Sequence, residues 1–139
     1  LWGLVAPGDR IPASRLAMSV KLPGIGGLPA YWRPRVAPEL DRLAGGGLVV
    51  DCRSGGYASV WKPRDANLVA INAVQVRSGK RTVVSHFAKH YRGLLTGALV
   101  RTRSTAATID DLADVAAALI GSGIDDVEPG DRELTLVVS

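Results

Sequence analysis

The chain has 139 residues, 47% hydrophobic and 22% charged, with 7 aromatics and 24 Gly plus Pro, which excludes disordered and fibrous classes and fits one globular domain. No apolar run approaches the ~20 residues of a membrane helix, no signal-peptide pattern opens the chain, and the lone Cys52 excludes an intrachain disulfide and suits a reducing, cytoplasmic setting. The net charge of +4 conceals +11 over residues 1–103 (16 Lys plus Arg against 5 Asp plus Glu) and −7 over residues 104–139 (1 against 8), so the first stretch can attract phosphates and the last fold back on it or limit indiscriminate binding, with a mixed, solvated surface as the alternative.

Residues 1–5 read as a buried strand ended by Pro7-Gly8-Asp9. The apolar start, without methionine or polar lead-in, points to an incomplete upstream end that leaves an exposed apolar edge prone to aggregation. Residues 11–21 run irregularly through Pro12, with Arg15, Leu16 and Met18 as their extended part, and residues 22–29 are too rich in Gly and Pro for anything but a loop or hairpin. Pro38 opens a short amphipathic helix with Leu40 and Leu43 on its apolar edge, stopped by Gly45-Gly46-Gly47. A short buried strand follows over residues 48–52. Ser54 then caps a short helix carrying Tyr57, Val60 and Trp61, which Lys62-Pro63 ends.

Residues 67–77 and 80–85 are β-branched runs around Ser78-Gly79, a two-residue hairpin turn. From residue 86 to residue 103 the period becomes helical. Phe87, Tyr91, Leu94, Leu95, Ala98 and Leu99 share one stripe, with Lys89, Arg92 and Arg103 off it and solvated. Thr108 and Asp111 carry a helix start signal, and Ile109, Leu112, Val115, Ala116 and Leu119 form the buried face of a helix ending at Gly121. Residues 122–130 read as a loop. Residues 133–139 close the chain as a strand with Leu134, Leu136 and Val138 on one face. The expected fold is α+β, a mixed sheet with interspersed helices in a single domain and no internal repeat.

Chemistry-bearing residues are few. His86 and His90 stand four apart on the expected helix, but no third ligand accompanies them and Lys89 adds a competing cation, so they read as exposed histidines and no metal or cofactor is expected. Cys52 reads as a packed, inert thiol, although Arg53 beside it could lower its pKa. Paired-carboxylate, nucleophile-elbow and Walker patterns are absent. Around Gly24 and Gly26 the chain can present consecutive backbone N–H groups to a phosphate, with Lys21 supplying charge; a plain tight turn has the same composition.

Two further segments run from Asp51 through Cys52, Arg53 and Ser54 to Tyr57, and from Ser85 through Lys89 to Arg92. Each gathers hydroxyls and cations where a strand meets a helix N-terminus, which suits an anion; simple capping by Ser54 and Ser85 is the alternative. If they form a site, the two segments meet in space.

At these segments the sequence resembles the bacterial YaaA peroxide-stress family. Leu1-Trp2-Gly3-Leu4-Val5-Ala6-Pro7 resembles its Leu-aromatic-Gly-Leu-Leu-x-Pro segment, and Arg15-Leu16 with Met18 its Tyr-Arg-Leu-Glu-Met. Tyr31-Trp32 is similar to its aromatic-Trp pair, Ser54 with Tyr57 to its Ser-x-x-Tyr, and Ser85, Lys89 and Gly93 to its Ser-x-x-x-Lys-x-x-x-Gly. Ala17 stands where the family has an acidic residue, and the family's upstream half, with its Pro-Pro-Ser-Glu-Gly-Lys loop, is missing.

The resemblance implies a cytoplasmic protein of the peroxide response, associated with lower free iron and with non-specific DNA binding through a basic cleft and a helix-hairpin-helix-like element. Its partners would be DNA, through the phosphate backbone, and the missing N-terminal half; no membrane is implied. The phosphate-binding candidates are Arg15, Lys21, Gly24, Gly26, Arg53, Ser54, Tyr57, Ser85, Lys89 and Arg92. The alternative is an enzyme acting on a nucleotide or phosphorylated small molecule at Ser54, Tyr57, Ser85, Lys89 and Arg92.

Overall fold

The computed structural model describes residues 8, 10, 17–64, 66–85 and 87–139. The strand expected at residues 1–5, the Arg15-Leu16 segment and His86 lie outside the described residues. The chain divides into two compact units, residues 1–46 with 53–66, and residues 47–52 with 67–139.

In the first unit, β1 (Lys21–Leu22) and β2 (Gly26–Gly27) make a minimal antiparallel hairpin, with Lys21 opposite Gly27 and Leu22 opposite Gly26. Gly24 and Gly26 have φ of 72° and 80°, a region that costs glycine nothing and a side chain strain. The hairpin runs straight into α1 (Leu28–Ala44), which starts ten residues before the expected Pro38. Pro29 sits in its first turn, where no intrahelical amide is needed. Pro34 and Pro38 lie inside the helix and remove two amide donors, yet both are exposed, so water can serve the carbonyls left over. Gly45, with φ 52°, ends the helix and donates to the Asp41 carbonyl at 3.1 Å.

The short helix α2 (Gly55–Ala58) is a single turn. Ser54 stands at its N-cap, but its side chain makes no capping bond; the Ser54 carbonyl accepts from Tyr57 and Ala58, both at 2.9 Å. Val60 and Trp61, expected on this helix, fall beyond its end, and Trp61 is buried.

The second unit is a five-stranded mixed sheet with two helices. β3 (Leu48–Asp51), β4 (Asn67–Arg77) and β7 (Glu133–Val138) are parallel neighbours, β6 (Ile124–Pro129) runs antiparallel to β7, and β5 (Lys80–Val83) antiparallel to β4. Ser78 and Gly79 both take positive φ, 50° and 75°, the geometry of a two-residue hairpin turn that matches strand twist. Residues 124–129 are a strand where a loop was expected. Its acids Asp125, Asp126 and Glu128 with Pro129 are edge-strand residues, tolerated because only one side of the backbone is paired. A register shift between Ile124 and Asp126 accompanies the full burial of Ile124.

The helices α3 (Ala88–Arg101) and α4 (Ile109–Ala117) complete this unit. Leu95 of α3 and Leu112 and Ala116 of α4 are fully buried with Val69, Leu134 and Leu136. Phe87 leaves the stripe expected of it: it stands at the N-cap of α3, 71% exposed, while Ala88 takes the buried place. The architecture is therefore α+β. Among the described residues no helix is long and apolar enough to cross a membrane.

Candidate phosphate-binding surfaces

The hairpin offers backbone rather than side chains. A Cβ placed on Gly24 or Gly26 would meet nothing within 4 Å, so main chain there is open to a close-approaching group. Lys21 beside it is exposed. The Ile25 amide closes the turn on the Leu22 carbonyl at 3.2 Å, and the Leu28 amide donates to Val20 at 3.3 Å. On the following helix Arg35 lies 3.7 Å from the Tyr31 ring centroid and donates to the Tyr31 carbonyl, which holds this cation against the helix.

Past β3 the chain carries Asp51, the buried charged residue of the described core, and Cys52. Burial pushes the Cys52 thiol above its ordinary range, against the opposing pull of Thr96, whose Oγ1 is 3.7 Å away, and of the Arg92 charge. Arg53, the neighbour that could lower the pKa of this thiol, carries its guanidinium 5.3 Å from the Trp61 ring centroid. A thiol pushed in this direction is a weaker nucleophile at neutral pH. Ser54 and Tyr57 are exposed on and beside α2.

Past β5, Ser85 is exposed and Lys89 projects from the first turn of α3 into solvent. Arg92 corrects the sequence expectation. It is half-buried, and its Nε donates to the Ile71 carbonyl of β4 at 2.9 Å, tying helix to sheet. His90 is exposed, its ring edge-on to Tyr91 at 5.2 Å. Arg53, Ser54 and Tyr57 belong to one unit, and Ser85, Lys89 and Arg92 to the other. Among the described residues no group of three or more His, Cys, Asp or Glu could hold a metal ion. Arg15 lies outside the described residues.

One feature of the first unit was not found from the sequence. Arg33, Ala37 and Asp41, one turn apart along α1, line a cleft of about 690 Å³ opposite Trp61, Lys62 and Arg64. Trp61 Nε1 donates to Asp41 Oδ1 at 2.8 Å, and Arg33 donates to the Ser59 carbonyl at 2.7 Å. The four-residue spacing was there to be read, but only for a helix that begins at Leu28.

A family model described as peroxide stress protein YaaA matches residues 1–119. The chain belongs to this family. It is 46% identical to a UPF0246 protein of Streptomyces coelicolor over 73% of this chain and 40% of that protein. It is 39% identical to a UPF0246 protein of Corynebacterium efficiens, and 34% to one of Corynebacterium glutamicum, each over 99% of this chain and 56% of the relative. The chain thus spans about half the length of the curated relatives it matches. The YaaA match takes in the hairpin, both strand-end segments and the α1 cleft.

Proposed function

We propose that this chain serves the peroxide response in the cytoplasm by binding DNA without sequence preference, through its phosphates. The observation that carries the reading is the open hairpin at Gly24 and Gly26, flanked by exposed Lys21 within a stretch whose formal charge is +11. Backbone amides and cations position a phosphodiester backbone but read no bases. The segments around Ser54 and Ser85 each add exposed hydroxyls, with Lys89 as a phosphate contact. The lower free iron associated with the family is assigned to the whole protein, not to a metal site on the described residues.

The alternative is an enzyme at Ser54, Tyr57, Ser85, Lys89 and Arg92, of which Arg92 is half-buried and spends its Nε–H on the Ile71 carbonyl. Fluorescence anisotropy with a labelled duplex tests the proposal. Lys21→Ala combined with Lys89→Ala should weaken binding on unrelated duplex sequences alike, and unchanged affinity would reject these contacts. If the Ser54 and Ser85 segments share one surface, Ser54→Cys with Ser85→Cys in a Cys52→Ser chain should be joined by a short bis-maleimide; failure to cross-link would separate them.

A further inference from the structure

We propose that the α1 cleft is a binding site for a small phosphorylated molecule of nucleotide size, a function beyond the DNA reading and independent of it. Charge complementarity comes first. Among the described residues, Arg33, Lys62 and Arg64 line the cleft with a single carboxylate, Asp41, which already accepts from Trp61 Nε1. Arg33 spends one N–H on the Ser59 carbonyl and keeps its other donors. Among the described residues neither Lys62 nor Arg64 is paired with a carboxylate, and both are exposed. An excess of cations in a concave site is met by an anion, and guanidinium groups match phosphate oxygens two at a time.

Shape and lining say what carries the phosphate. A volume of about 690 Å³ falls in the range of small-molecule sites, roughly 300–1,000 Å³. Pro34 and Pro38 of the helix, with Trp61, 6% exposed and fixed by its bond to Asp41, supply apolar lining. The two prolines contribute no amide donors, and their rings offer apolar contact. Cations for a phosphate beside a rigid apolar slot for the remainder describe a nucleoside monophosphate better than inorganic phosphate or a bare sugar phosphate. The same phosphate chemistry could come from a DNA strand, and the test separates the two sources.

Isothermal titration of the chain with AMP, with adenosine and with ribose 5-phosphate reads the site directly. AMP should bind saturably, one per chain, and both adenosine and ribose 5-phosphate should bind about tenfold or more weaker, each lacking one half of the recognition. Lys62→Gln with Arg64→Gln, both at exposed positions, should lower AMP affinity about tenfold or more. Ala37→Trp, which fills the cleft without touching a charge, should abolish it. Circular dichroism confirms that each variant folds. Absence of AMP binding at millimolar concentration, or AMP binding indifferent to both variants, would overturn the site. Loss of duplex affinity in the double variant without any AMP binding would give the cleft to a DNA strand and overturn it equally. Because AMP and duplex are titrated separately, failure of this site and failure of the DNA reading remain distinct results.

Discussion

Thr108 and Asp111 fix the start of α4 by a reciprocal exchange. Thr108 Oγ1 accepts from the Asp111 amide at 3.1 Å, and Asp111 Oδ2 accepts from the Ala107 and Thr108 amides, both at 3.0 Å. The pattern was legible because a capping box is purely local in sequence. Thr108→Ala should cost about 1 kcal/mol, read by chemical denaturation. The same bonds, that from Ala107 first, hold the Asp111 carboxyl below its ordinary range, and Arg42 and Arg81 do so for Glu39 and Glu128. For a carboxyl whose folded pKa is depressed, the stabilisation is complete above its unfolded value of about 4 and disappears as pH falls through the folded one. Melting temperature should therefore fall on acidification below that range, and Asp111→Asn should flatten part of the fall. Arg92 was not legible in this way: nothing local reveals that a charged residue off the apolar stripe will reach a carbonyl of β4. The Cys52 thiol, raised by burial, should react slowly with a thiol reagent in the native chain at neutral pH and fully after unfolding; rapid native reaction would contradict its assignment as inert.

Elements with strong periodicity or strong turn chemistry were readable. β7 buries Leu134, Leu136 and Val138 as its alternation requires, and Ser78-Gly79 turns the β4–β5 hairpin at the expected place. Leu136→Ala should cost about 2–5 kcal/mol, since a fully buried leucine leaves a cavity. The elements that escaped were those where tertiary pairing overrides propensity. β6 carries three acids and a proline, poor strand formers, and is a strand because β7 supplies its partner backbone. Helix α1 was cut short in the sequence because Pro38, whose fixed φ suits a first helical turn, looks like its start, and that error hid the cleft, whose helical wall needs one continuous helix from Arg33 to Asp41. Replacing exposed Pro38 by Ala restores a donor to the Pro34 carbonyl and should stabilise the chain by about 1–3 kcal/mol, less what proline gains by restricting the unfolded state; a loss of stability would contradict this account of α1.

At the scale of the whole chain, the proposed phosphate-rich partner rests on the opposed charges of residues 1–103 and 104–139, whereas family membership rests on the match over residues 1–119. Phosphate binding that reads no bases has one physical signature, the release of counterions from DNA. The decisive measurement is duplex affinity against salt concentration, repeated on two unrelated sequences. With four to six phosphates neutralised, log K against log salt should have a slope near −4 to −5 on both, at about −0.9 per phosphate. Lys89→Ala should flatten it by about 1, and Arg92→Ala, whose guanidinium serves Ile71, should lower stability and leave the slope unchanged. An affinity that is undetectable, or one that does not change with salt, would contradict the account.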